Sequence, residues 1–320
     1  MAPFKSSLAR SAAKFLGMSN QADLSLRGAT QSTRLIPPPP FDATGGTTTE
    51  PGNGFKYHFF TSSGSLVVDA DSPSTPPPVS YLLVAGGGAG GAANGSIRSG
   101  GGGGGAGGLL TGTTTLTAGS TYPVVIGNGG AYTGIKPNPG AGDGNDSTWN
   151  SLTAVGGGGG GEGSFNNQPP QSGRPGGSGG GGAESPDGGK YGGSGTSGQG
   201  NQGGRGGEYS SNAAGGGGAG GNGQNSPGGN GGIGVVAFSG DTGIPSDYGT
   251  PGPSAGRWFA GGGGALDYFR SDQGDGGAGG GGDGGVSGTV NTGGGGGSAR
   301  SDTSGGAGGS GILIVKYPIS

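Results

Sequence analysis

Glycine crowding beyond residue 85 constrains this chain more than any other feature. Only seven of its 96 glycines precede residue 86, and the rest all fall between 86 and 311. Ordering a residue costs about 1–2 kcal/mol of backbone entropy, and glycine loses the most. With 27% hydrophobic and 10% charged residues, the chain has no ordinary large core to offset that loss. Such a body either remains a flexible tether or orders through its own backbone.

Two patterns favour order. Strand-like runs recur throughout: FKYHFFT (55–61), Leu66 to Val68, YLLVA (81–85), YPVVI (122–126), LTAV (152–155), Val235 to Phe238 and ILIVKY (312–317). Their β-branched and aromatic content suits strands sharing a small core. YLLVA opens the glycine-rich stretch and ILIVKY closes it, so pairing them would gather both ends at one pole. The second pattern is a period of three: Gln199, Gln202, Arg205 and Glu208; Ala219, Asn222 and Asn225; then Pro227, Asn230, Ile233 and Val236.

Three is the repeat of polyproline II, whose N–H and C=O groups point sideways and need partners outside the segment. Glycine runs at 101–105, 156–161 and 293–297 would then be interior helices, with one residue in three turned outward. Collagen is excluded, because the frame keeps resetting and only 22 residues are proline. The expected fold class is mostly irregular and β, a small β base carrying a bundle of polyglycine II helices. A short N-terminal α-helix and an extended arm precede it.

The helix is expected over residues 4–16. Phe4, Leu8, Ala12, Phe15 and Leu16 recur at helical spacing, Pro3 suits a first turn and Gly17 a stop. A stripe on so short a helix needs a surface to cover it, so Phe4, Leu8, Phe15 and Leu16 are the candidate particle-anchoring residues. Residues 17–54, with Pro37 to Pro40, read as an arm. The expected domains are therefore 1–54 as helix and anchoring arm, 55–85 as a β entry and 86–320 as the glycine-rich domain. Residues 1–40 carry Lys5, Arg10, Lys14, Arg27 and Arg34 against Asp23, whereas the remainder is acidic. Five spread cations make too modest a patch for nucleic-acid binding.

There is no cysteine, and no stretch reaches the ~18 apolar residues of a membrane span. No apolar block of a secretory signal follows the N-terminus, so the expectation is a soluble protein made in the cytoplasm without membrane insertion. Nucleotide-type glycine strings arise by chance at this glycine density. Lys190 is not a phosphate-loop lysine, since Glu184 stands at the first glycine position and Tyr191 at the Ser/Thr position. AGDGNDSTW (141–149) approaches a calcium nonapeptide but has Ala141 for its first glycine, and reads as a turn into a strand at Trp149. His58 is the only histidine and lies in an aromatic strand. Asp267, Asp272, Asp275 and Asp283 single out no acid pair. No catalytic residue, cofactor or metal is assigned, and the chain reads as a non-enzyme.

Exposed aromatics among polar residues are better candidates, since they stack on sugars and anchor protein contacts. Tyr191, Tyr209, Tyr248, Trp258, Phe259, Tyr268 and Phe269 are the candidate receptor-contact residues. Phe165 shares their setting.

The stretches YLLVAGGGAGG (81–91), GGGGGAGGLLTGTTTLTAGSTYPVVIGNGG (101–130), STWNSLTAVGGGGGG (147–161) and GGAGGSGILIVKYP (305–318), in that order, resemble the glycine-rich domain of bacteriophage tail fibres, adhesins and other virion proteins, especially those of marine and cyanobacterial phages. The similarity covers about residues 55–318 and leaves 1–54 unmatched. It implies a layered bundle on a β base with distal loops that contact the host surface. It also implies a virion location, attachment to other virion proteins through residues 1–54, and host polysaccharide or outer-membrane protein as the partner. A capsid decoration or tail-accessory role is the nearest alternative. An ice-binding protein would want a regular threonine array, and a polysaccharide hydrolase an identifiable acid pair.

Overall fold

The computed structural model describes residues 40–319 apart from 74, 93–99, 135–139, 164–168, 170, 209–212, 228, 240, 267–272 and 301–302. These residues belong to one compact unit, Pro40–Ser320. The helix expected over 4–16, with Phe4, Leu8, Phe15 and Leu16, lies outside the described residues.

The strands are β1 (Ala43–Thr44), β2 (Thr47–Thr49), β3 (Phe55–Phe60), β4 (Gly64–Val68), β5 (Val79–Val84), β6 (Leu109–Thr114), β7 (Thr121–Val125), β8 (Ser147–Trp149), β9 (Leu152–Ala154), β10 (Val235–Val236), β11 (Trp258–Phe259) and β12 (Ile312–Pro318). They form three antiparallel sheets, ordered β1-β4-β7-β8-β9, β2-β3-β12-β5-β6 and β10-β11. The expected fold class is thereby corrected: every regular element among the described residues is a strand, and none is an α-helix. The reason is local, since β-branched and aromatic residues at alternate positions, broken by glycine and proline, satisfy a pleat and not a helical stripe. Nor is the β part small, because two of the sheets have five strands.

Residues 40–54, read as arm, contribute two strands. β2 pairs with β3, Thr48 opposite His58, and β1 pairs with β4, Ala43 opposite Val68. Gly45 and Gly46 turn the chain between the two sheets with φ of +119° and +64°. A Cβ on either would overlap a backbone carbonyl, of Ser65 or of Phe59. Asn150 and Ser151 both take positive φ in the two-residue turn that joins Trp149 to Leu152.

β12 lies at the centre of its sheet, between β3 and β5. Period-two alternation sends Leu313, Val315 and Tyr317 into a sandwich core with Phe60, Leu66, Leu83, Val124 and Trp149. Ile312 and Ile314 face the other way, with Tyr57, Phe59, Leu82 and Phe259 beneath the β10-β11 sheet. The ends of the glycine-rich stretch do meet, with Ile314 opposite Leu82.

Between strands, the glycine segments bond laterally with a period of three. Gly86 and Ala89 donate to Asn145 and Gly142, Gly87 and Gly90 to Gly309 and Gly306, and Gly88 and Gly91 to Gly105 and Gly102. Segment 102–108 is enclosed by others. It donates to 155–161, 214–217 and 293–296, and accepts from 88–91, 178–181 and Gly263. This is the arrangement of a threefold helix with neighbours on all sides, and it satisfies the backbone as burial requires. On the flank, side chains replace carbonyls: Asp146 Oδ1 accepts from Gly156 N and Asp143 Oδ1 from Gly159 N, each at 2.8 Å. The calcium-like AGDGNDSTW stretch is thus used as a cap at matched three-residue spacing.

A polar network sits in the sandwich. Buried His58 places Nδ1 2.7 Å from the Gly45 carbonyl, which can only accept, so Nδ1 carries the proton; Nε2 is 2.9 Å from the Tyr317 hydroxyl. The Tyr317 hydroxyl also lies 2.9 Å from Asp42 Oδ1, so its single proton serves either Nε2 or that carboxylate, and Lys56 pairs with the same oxygen at 2.6 Å. Burial, only partly opposed by the Gly45 contact, lowers the His58 pKa. Burial works against the Asp42 carboxylate, but hydrogen bonds from Lys56, Ala43 and Tyr317 hold its pKa below the usual value.

Both shifts make acid destabilising. Stability from His58 is complete above its unfolded pKa, about 6.5, and is lost as pH falls through the lower folded value; Asp42 repeats this from about 3.9 downward. The urea midpoint is expected to fall between pH 7 and 5 and again below pH 4. A His58→Gln variant should lose the first decline, and an unchanged wild-type midpoint from pH 7 to 5 would rule out the His58 contribution.

Candidate binding surface

The glycine segments that leave the sheets end in step. Gly163 bonds Ala92, Ser185 bonds Gly207 and Ala299 bonds Gly91. Near this far end Gly206 donates to the Lys190 carbonyl and Ser226 to the Arg205 carbonyl, which places 189–191, 205–208 and 225–226 side by side. Gly189 allows the closest approach, since a Cβ there would overlap the Gly206 carbonyl.

Along 202–208, Gln202, Arg205 and Glu208 are exposed while Gly203, Gly204 and Gly206 are buried, so the three-residue repeat turns one side chain outward per turn. Arg205 is held on three counts: its N–H donates to Asn225 Oδ1 at 2.7 Å, its Nε to the Gly189 carbonyl at 3.2 Å, and its guanidinium carbon lies 4.8 Å above the Tyr191 ring. Tyr191 is 63% exposed. An exposed cation–π contact of this kind contributes about 0.5–1 kcal/mol. Beside it runs an open groove of about 260 Å³ with Gly189, Gly206 and Gly207 among its lining and Arg205, Glu208, Asn225 and Ser226 around it. An aromatic face, a fixed guanidinium, a carboxylate and an amide around a glycine backbone make a surface for a polar, hydroxyl-rich ligand.

The other aromatic candidates are placed differently. Phe259 is fully buried and Tyr248 stacks on Phe59 at 4.0 Å, so both cover the β3 face. Trp258 is half-buried in β11, its indole N–H on the Ser254 carbonyl at 3.1 Å. The apolar run Val235 to Phe238, which pairs with Trp258 and Phe259, was the signal for this. Tyr209, Tyr268 and Phe269 lie outside the described residues, as does Phe165. Arg205 was legible only as an outward position, because its juxtaposition with Tyr191 joins separate segments. Among the described residues no group of three His, Asp or Glu could hold a metal ion.

A family model described as a glycine-rich domain matches residues 61–318. Comparison with curated proteins gives no match. The match begins after β3 and spans β4 to β12 with the whole of the bonded glycine body, and the chain belongs to the glycine-rich domain family.

Proposed function

We propose that this chain is a phage virion structural protein of the tail-fibre or adhesin type, which binds a host-surface saccharide and catalyses no reaction. The observation that carries the reading is the Tyr191–Arg205 surface, held near the far end of a backbone-bonded body. A bundle tied by lateral hydrogen bonds is a stiff support for such a surface, and the resemblance of the ordered motifs to virion glycine-rich domains supplies the context. Attachment to the particle is assigned to the cationic segment before Pro40, with Phe4, Leu8, Phe15 and Leu16, because 43–49 are built into the sheets.

Mass spectrometry and immunogold labelling of purified particles test the virion reading, and a protein absent from them would overturn it. For the surface, Tyr191→Ala is expected to slow particle adsorption about tenfold or more, the scale of an exposed aromatic anchor. Melting temperature and copy number should stay unchanged. Adsorption at the wild-type rate would remove Tyr191 from the binding surface.

A further inference from the structure

The free edges of the two large sheets are not equally protected. β2 runs into Glu50 and Pro51, and β1 has two residues and follows Asp42. On β9 the Gln199 side chain imitates a neighbouring strand, its Oε1 accepting from Val155 N at 2.8 Å and its Nε2 donating to Thr153 O at 3.0 Å. Charge, proline and capping are the usual ways to blunt an edge.

β6 has none of these beyond its first residue. It reads Leu-Leu-Thr-Gly-Thr-Thr, without charge or proline. Ala85 N bonds the Gly108 carbonyl, so in antiparallel alternation residues 108, 110, 112 and 114 face β5. The groups of 109, 111 and 113 then point out of the sheet. Leu109 N is taken by the Gln199 carbonyl at 3.0 Å. Thr111 and Thr113 are exposed, and among the described residues their outward N–H groups have no backbone partner. Alongside lies the groove of about 380 Å³ bounded by Leu109, Leu110, Ala219 and Val235, with Gln199 and Asn201. No charged side chain lines it.

We propose that the open edge of β6 is a strand-docking site that takes an extended, uncharged peptide segment of a partner protein by β-addition. Outward donors and acceptors repeated every second residue, about 6.8 Å apart, match an extended backbone, and the groove receives its small apolar side chains. In the register that pairs the two open donors with each other, a second copy of β6 does not fit. Antiparallel self-pairing that sets Thr111 opposite Thr113 would bring the partner's Thr115 to Leu109, where Gln199 already sits. The site is separate from the Tyr191 surface, so either can fail without the other.

The test is amide exchange of the labelled full chain, with and without a capped six-residue peptide of alternating valine and threonine. Exchange at Thr111 and Thr113 is expected to slow about tenfold at saturation, with no slowing when the peptide's alternate amides are N-methylated. Thr111→Pro removes an outward donor and the Thr111 hydroxyl's bond to the Tyr81 carbonyl but none of the backbone bonds to β5, and should abolish the effect with at most a small drop in melting temperature. Thr113→Pro serves equally should the first variant misfold. No slowing at millimolar peptide, or equal slowing by the N-methylated peptide, would overturn the proposal. Protection already present in the free protein and lost on dilution would also overturn it, because the occupant would be a second copy.

Discussion

Replacing Gly295 by alanine is expected to destabilise the body by about 4 kcal/mol, whereas Gly64→Ala leaves it as stable or slightly more so. Gly295 donates to Gly261, and a Cβ on it would overlap the Gly104 carbonyl in the enclosed segment. Relief requires moving segment 102–108, whose donors bond three different neighbours. Overpacking costs roughly 1–3 kcal/mol, and each buried hydrogen bond broken costs about as much again. Against a total stability of about 5–15 kcal/mol the melting temperature should drop by about 10 °C or more. At Gly64 an added methyl would lie 3.8 Å from its nearest neighbours, atoms of the Phe60 ring, so only the entropy gain of about 0.4–1 kcal/mol remains. Calorimetry of both variants decides the matter. If Gly295→Ala melts no lower than Gly64→Ala, the glycine body is a tether and not a packed bundle.

The second large effect is expected at Asp241, which ties the loop after β10 to the β3-β12 face. Its carboxylate accepts from the Tyr57 hydroxyl at 2.7 Å and from Gly243 N at 2.7 Å, and pairs with the Lys316 ammonium. The two side chains are only 5% and 14% exposed, and Lys316 also lies 4.0 Å over the Phe55 ring. Burial works against the Asp241 carboxylate, but Lys316, Gly243 and Tyr57 hold its pKa below the usual value. Asp241→Ala leaves a buried ammonium without its counter-ion and should cost about 3–5 kcal/mol in urea denaturation. Adding Lys316→Met should recover part of that loss, since the uncompensated charge disappears. A double variant as unstable as the sum of the single ones would mean that the pair does not act as a unit.

The strands most legible in the sequence were those with dense β-branched or aromatic content, such as β3, β5 and β12. β6 was missed because LLTGTT carries a glycine and is polar on one side, and its pairing with β5 is what makes it a strand. The helix expected over 4–16 lies outside the described residues, and its stripe rests on spacing alone. At the candidate surface, exposure separated Tyr191 from Phe259, which looked equivalent as loop aromatics. The difference lies in which segment packs behind each.

By itself the sequence determined that this body must satisfy its backbone from outside each segment, because glycine at this density supplies no side chains to do so. It also determined the three-residue repeat that turns Gln202, Arg205 and Glu208 outward. Only the tertiary structure decided which segment answers each donor, and hence which glycines tolerate no methyl group. It alone set Arg205 over Tyr191 and left β6 open beyond Gln199. The physical reason is that local repeat is a property of one segment, whereas lateral hydrogen bonds join residues far apart in the chain. Near-identical glycine runs carry no side-chain code for choosing among partners, so the connecting strands and turns make that choice.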